Sequence, residues 1–259
     1  VPVPEGALKD LTPAAQANEP PYKGLEPGYK TYESAHFLVK AYTAEIAVAH
    51  SMACEETYRR IMNDIGLYSF APAKPYNVVV YKNADEYLLA TGQPRWSGGM
   101  AYGNAILIYG SRSAGQYGST TDSSSGDESE RSAAVIAHEM THLVFNEFMG
   151  LANSTGFKWV NEGVAVYEET RASQASRTLY GSRVSELVAP NPISFSQMIN
   201  LAPQGEQNAG AERWYAQAGS VVSFLLRDGG SVGFSIFISR FAGGDAADAA
   251  AAQAFPGLW

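Results

Sequence analysis

Short apolar runs come first along this chain and helix-period apolar stripes come later. Residues 36–41 (His-Phe-Leu-Val-Lys-Ala), 76–81 (Tyr-Asn-Val-Val-Val-Tyr) and 104–109 (Asn-Ala-Ile-Leu-Ile-Tyr) are β-branched or aromatic runs of strand length, so strands are predicted there. Residues 43–65 read as a long helix ending at Gly66, and 84–90 as a short one. Glycine-rich 97–103 leads into the third strand, and 110–126, dense in Ser, Gly and Thr, reads as a loop. From Ser132 the pattern is helical up to a stop at Gly150. Asp127, Glu128 and Glu130 lie near its start, where the helix dipole favours negative charge. A second helix is predicted from Lys158, after a connection (150–157) that allows antiparallel packing. Further helices are expected at 194–201, 212–227, 231–242 and 245–254.

The chemistry is concentrated in the helix after Ser132, at His138-Glu139-Met140-Thr141-His142. Positions i and i+4 share a helix face, so both imidazoles can reach one metal ion. Glu139 is rotated by about 100° from His138, so its carboxylate can face a water and not the metal. Two neutral nitrogen ligands and one general base are what zinc-assisted hydrolysis requires. The competing reading is a pair of hydrogen-bonded core histidines, which is costly in an apolar helix that also carries a glutamate. A catalytic zinc needs a third protein ligand and an open fourth position. Phe145 and Phe148 stand where an extended motif would need Gly and His, and Glu147 lies about 140° round the helix from His142. Glu162, twenty residues past His142 and flanked by Trp159, Val160, Val164, Ala165 and Val166, is the candidate third ligand. A solvated surface glutamate is its alternative.

His-Glu-Met-Thr-His followed by Trp-Val-Asn-Glu-Gly-Val-Ala-Val-Tyr-Glu-Glu resembles the gluzincins, the zinc peptidases that include thermolysin and the membrane aminopeptidases, and among them the compact bacterial peptidase MA-like domains. The specific likeness covers residues 130–170. It implies His138, His142 and Glu162 as zinc ligands, Glu139 as general base, and Glu169 as a carboxylate orienting a ligand histidine, with a solvated helix residue as the alternative for Glu169. No histidine follows His142, so a thermolysin-style histidine cannot stabilise the oxyanion. Tyr215, in Arg-Trp-Tyr-Ala-Gln, is the candidate substitute, against a packing role among fifteen tyrosines. Ala101 stands where aminopeptidases of this group hold the substrate's amine with a glutamate, so an endopeptidase rather than an aminopeptidase is expected.

By this resemblance the element order fits an α+β, zincin-like fold: a small mixed sheet lobe with the active-site helix, then a mainly helical lobe. The implied division is a Pro-rich extension (1–30), a sheet-containing lobe (31–150) and a helical lobe supplying the third ligand (151–259). The resemblance also implies that a sheet edge near the cleft binds the substrate backbone. The stretch 104–109 is the candidate edge, and 110–128 is a candidate flap or a plain connector.

Composition adds limits. With 259 residues and 46% hydrophobic content the chain can bury one large core or two joined lobes. A net charge of −8 without a basic stripe argues against nucleic acid. No apolar run approaches a membrane span, so none is expected. Cys54 is alone, which rules out an intrachain disulfide, and its Ala-rich surroundings predict a packing role. The start at Val1 and the Pro-rich stretch to Pro27 read as a processed N-terminus, hence an extracytoplasmic or secreted protein. The expected activity is zinc-dependent hydrolysis of a peptide or protein substrate. The alternatives are a zinc-containing peptide-binding or envelope-assembly module, or hydrolysis of a non-peptide amide by the same residues. Oligomeric state is not encoded in any of these features.

Overall fold

A computed structural model describes residues 20–95, 97–109, 125–150, 157–200, 203 and 209–257. Strands β1 (Lys30–Glu33), β2 (Phe37–Ala41), β3 (Tyr76–Tyr81), β4 (Gly99–Tyr102) and β5 (Ala105–Tyr109) form one sheet in the order β1-β2-β3-β5-β4. The inner pairs β2–β3 and β3–β5 are parallel, and the outer pairs β1–β2 and β4–β5 are antiparallel. The helices are α1 (Ala44–Asp64), α2 (Ala84–Thr91), α3 (Ser125–Met149), α4 (Lys158–Ala172), α5 (Gln174–Arg183), α6 (Phe195–Asn200), α7 (Ala209–Ala242) and α8 (Ala247–Ala254). This is the expected α+β arrangement of a small mixed sheet with a mainly helical remainder.

The period-2 alternation of the strands sorts side chains to two faces. Val78, Val80, Ile106 and Ile108 join the main core with α1, α3, α4, α7 and α8. Val79, Tyr81, Ala105 and Leu107 face the other way, onto Tyr87 of α2 and the segment carrying Tyr22 and Leu25. Helix α1 follows from its sequence: Thr43 caps it by accepting from Ile46 N–H, and Ala47, Ser51, Cys54, Tyr58 and Ile61 recur at three- and four-residue steps as its buried stripe. Cys54 packs in that stripe as expected, and burial pushes its thiol up to about 12.

Several expectations are corrected. The run 104–109 is not a sheet edge: β5 pairs with β3 on one side and β4 on the other, so the edge is β4. A β-carbon on Gly98 or Gly99 would lie 2.8 or 2.6 Å from a Val135 methyl, so glycine is what lets this strand rest on α3. Gly103, at φ +58°, then turns β4 back along β5. The candidate flap, 110–128, lies outside the described residues up to 124, and α3 already begins at Ser125, earlier than predicted. Helix α5 and the π-turn Val184–Val188 after it were not predicted.

The two helices predicted across 212–242 form one run, α7, broken only by Gly230 (φ 71°, ψ 169°). By length and composition α7 could cross a membrane, with a mean hydropathy of 1.4 over its most apolar window, which the sequence reading did not anticipate. Trp214, Val222, Leu225, Phe234 and Phe237 of this helix are buried in the main core, while Phe224, Val232 and Ile236 are exposed.

Candidate metal centre

Helices α3 and α4 pair in opposite senses: His142 meets Asn161, and His138 meets Glu169. Met140, Leu143 and Val144 of α3 and Trp159, Val160 and Val164 of α4 lie in the shared core, leaving His138, Glu139, His142 and Glu162 partly open beside it. This crossing brings together the three residues singled out as ligands. Oε2 of Glu162 lies 3.6 Å from His142 Nε2 and 4.0 Å from His138 Nε2, and the three candidate donor atoms all fall within 4.8 Å of one another. A tetrahedral zinc with bonds of about 2.0–2.2 Å spaces its ligands about 3.3 Å apart. The cluster therefore needs only small side-chain adjustments to close on a metal. Its side chains are 16–22% exposed, so the cluster is open to solvent.

The outer nitrogens are equally constrained. His138 Nδ1 lies 3.1 Å from Glu169 Oε2, and His142 Nδ1 lies 2.8 Å from Asn161 Oδ1. Each acceptor favours a proton on Nδ1 and so turns the Nε2 lone pair toward Glu162. Burial of His138 opposes its protonation, but the Glu169 bond and the charges of Glu139, Glu169 and Glu162 outweigh it and raise the pKa to about 9. So much negative charge around one imidazole makes a half-buried place for a cation. Among the described residues the cluster offers two imidazole nitrogens and one carboxylate and no fourth donor, which fits a catalytic zinc better than a closed structural one.

The remaining candidates fall as follows. Glu139 is partly buried on the next position of α3, with its field reaching both His138 and Tyr87. Tyr215, on the first part of α7, is partly buried, and burial together with the Glu162 carboxylate raises its pKa above the ordinary tyrosine value. Glu147 points elsewhere, as expected: it accepts from Tyr76 Oη at 2.6 Å and Ala73 N at 2.7 Å. Asn161, Ser176 and Tyr180 were given no role from sequence. Asn161 could have been found from its place in the Trp-Val-Asn-Glu run, one residue before Glu162. Ser176 and Tyr180 carry no such signal.

No curated protein and no solved structure matches this chain. The model of the peptidase MA superfamily matches residues 53–257, a span that contains the His-Glu-Met-Thr-His run, Glu162, Glu169 and Tyr215. With that match over most of its length, the chain belongs to the peptidase MA superfamily.

Proposed function

We propose that the protein is a zinc-dependent endopeptidase. The observation that carries this reading is the convergence of His138, His142 and Glu162 donor atoms within 4.8 Å, with Glu139 on the adjoining position of the same helix. These three residues would hold the ion. Zinc so bound supplies Lewis acidity and makes a water nucleophilic near neutral pH. The Glu139 carboxylate takes the proton of the attacking water and passes it to the leaving nitrogen. Tyr215, kept in its phenol form by burial and by the Glu162 charge, donates a hydrogen bond from its hydroxyl to the developing oxyanion. Glu169 and Asn161 keep the two imidazoles turned inward.

The substrate backbone pairs along β4, the sheet edge packed on α3 at Val135, one turn before Glu139. Main-chain pairing tolerates many side chains. Ala101 on this strand offers no carboxylate to a free amino terminus, which supports internal cleavage over N-terminal trimming. The zinc-loaded chain, incubated with a diverse peptide mixture, should generate internal cuts identified as new termini by mass spectrometry, absent with Glu139→Gln. Single residues released from N-termini would replace the endopeptidase assignment with an aminopeptidase one. Zinc bound at one per chain without any cut would move the protein to the class of peptide-binding modules.

A further inference from the structure

Helix α5 closes behind His138 and brings two hydroxyls to Glu169. Ser176 Oγ donates to Glu169 Oε1 at 2.9 Å, and Tyr180 Oη approaches Oε2 at 3.5 Å, the oxygen that also lies 3.1 Å from His138 Nδ1. A carboxylate held by one partner swings about its side-chain torsions, whereas contacts from three directions fix its plane. The helix that carries the hydroxyls is itself anchored. Ser173 caps it by accepting from Ser176 N at 3.0 Å. Glu130, two turns before His138 on α3, accepts from the backbone N–H groups of Gln174 and Ala175. The Arg183 guanidinium lies over the Tyr180 ring, 5.4 Å from its centroid, and is 3.4 Å from Glu212. Both ends of α5 are thus tied to elements that build the site, α3 through Glu130 and α7 through Glu212.

We propose that Ser176 and Tyr180 are positioning residues that fix Glu169, and through it the His138 imidazole, for metal binding. This rests on the zinc reading above. Neither residue touches the ion or the substrate. Their contribution is to keep His138 from rotating away when the metal is lost, so that the site stays assembled. His142, anchored separately by Asn161 at 2.8 Å, is independent of them.

The test is zinc affinity of the metal-stripped full chain, measured by competition with a chromophoric chelator. Ser176→Ala/Tyr180→Phe should bind zinc about tenfold more weakly than wild type, at the lower end of what removal of outer hydrogen-bond partners costs. Ser176→Thr, which keeps the hydroxyl, should stay near wild type. Thr178→Ala serves as control, since among the described residues Thr178 Oγ1 bonds within α5, donating to Gln174 O at 3.0 Å and accepting from Gln174 Nε2 at 3.5 Å. Should the double variant not fold, the single variants decide, each with an expected loss of about threefold. Wild-type affinity in the hydroxyl-free variants, or an equal loss in Thr178→Ala, overturns the proposal while leaving the zinc site standing. A wild-type chain that takes up no zinc overturns the zinc reading itself.

Discussion

A β-carbon on Gly163 would sit 2.7 Å from the carbonyl oxygen of Ala218, closer than van der Waals contact allows. The reciprocal position is as tight: a β-carbon on Gly219 would meet Val166 Cγ1 at 2.4 Å. Helices α4 and α7 therefore cross through two glycines, and this crossing sets Glu162, the residue before Gly163, against Tyr215, one turn before Gly219. Gly163→Ala should force the helices apart. The expected cost is about 1–3 kcal/mol of stability, typical of overpacking, with weaker zinc uptake because Glu162 moves with its helix. Thermal melts and zinc titration of the same samples check this. A variant as stable as wild type would mean that α7 shifts freely against α4.

Glu139→Gln keeps the size and hydrogen-bonding reach of the side chain but cannot accept the proton. Turnover should fall by about 10²–10⁴, while zinc remains at one per chain. Near-normal turnover on the peptides cleaved by wild type would remove Glu139 from the mechanism.

Tyr215→Phe removes one oxyanion donor and leaves the packing against Trp214, whose ring centroid lies 5.2 Å away. The expected effect is a fall in kcat of about 10²–10³, with zinc content and melting temperature unchanged. A raised KM alone, with kcat intact, would assign Tyr215 to substrate packing.

The parts of this molecule that announce themselves in the sequence are those where one residue type is chemically compulsory. Metal donors are drawn from a short menu of His, Cys and carboxylates, so the candidates 138, 142 and 162 stand out, and β3 is read at 76–81 as observed because its run of Val and Tyr suits both faces of a buried strand. The edge strand β4 was missed for an opposite reason. Its glycine allows close approach to Val135, and that same glycine lowers the strand signal. Helix α5 was missed because none of its residues is buried, so no apolar stripe marks it. Ser176 and Tyr180 were invisible in turn, since their contact with Glu169 depends on that helix. Tyr215 could only be chosen by analogy among fifteen tyrosines, and the fold adds its electrostatic link to Glu162.

Glu168, beside Glu169 on α4, gives a prediction for stability against pH. Its side chain is fully buried, with Oε2 3.1 Å from Arg60 Nε on α1. That geometry favours an ionised carboxylate. Burial, followed by the Asp64 charge, nevertheless outweighs Arg60 and Arg171 and pushes the pKa from 4.5 up to about 7. Arg60 is one-quarter exposed, so solvent weakens its pull, whereas the carboxylate is fully buried and pays the whole cost of desolvation when charged. Below pH 4.5 Glu168 is protonated in both the folded and unfolded chain, and its contribution to stability is complete. As pH rises toward and through about 7, the unfolded chain ionises freely while the folded one must charge a buried group, so that contribution is lost. Glu168→Gln removes this dependence. Its melting temperature relative to wild type should therefore be higher at pH 8 than at pH 5, and in a chain of this size each kcal/mol corresponds to about 2–4 °C. A relative melting temperature that falls over the same interval would show instead that the ionised carboxylate is held by Arg60 and that the pair, not burial, governs this part of the α1–α4 interface.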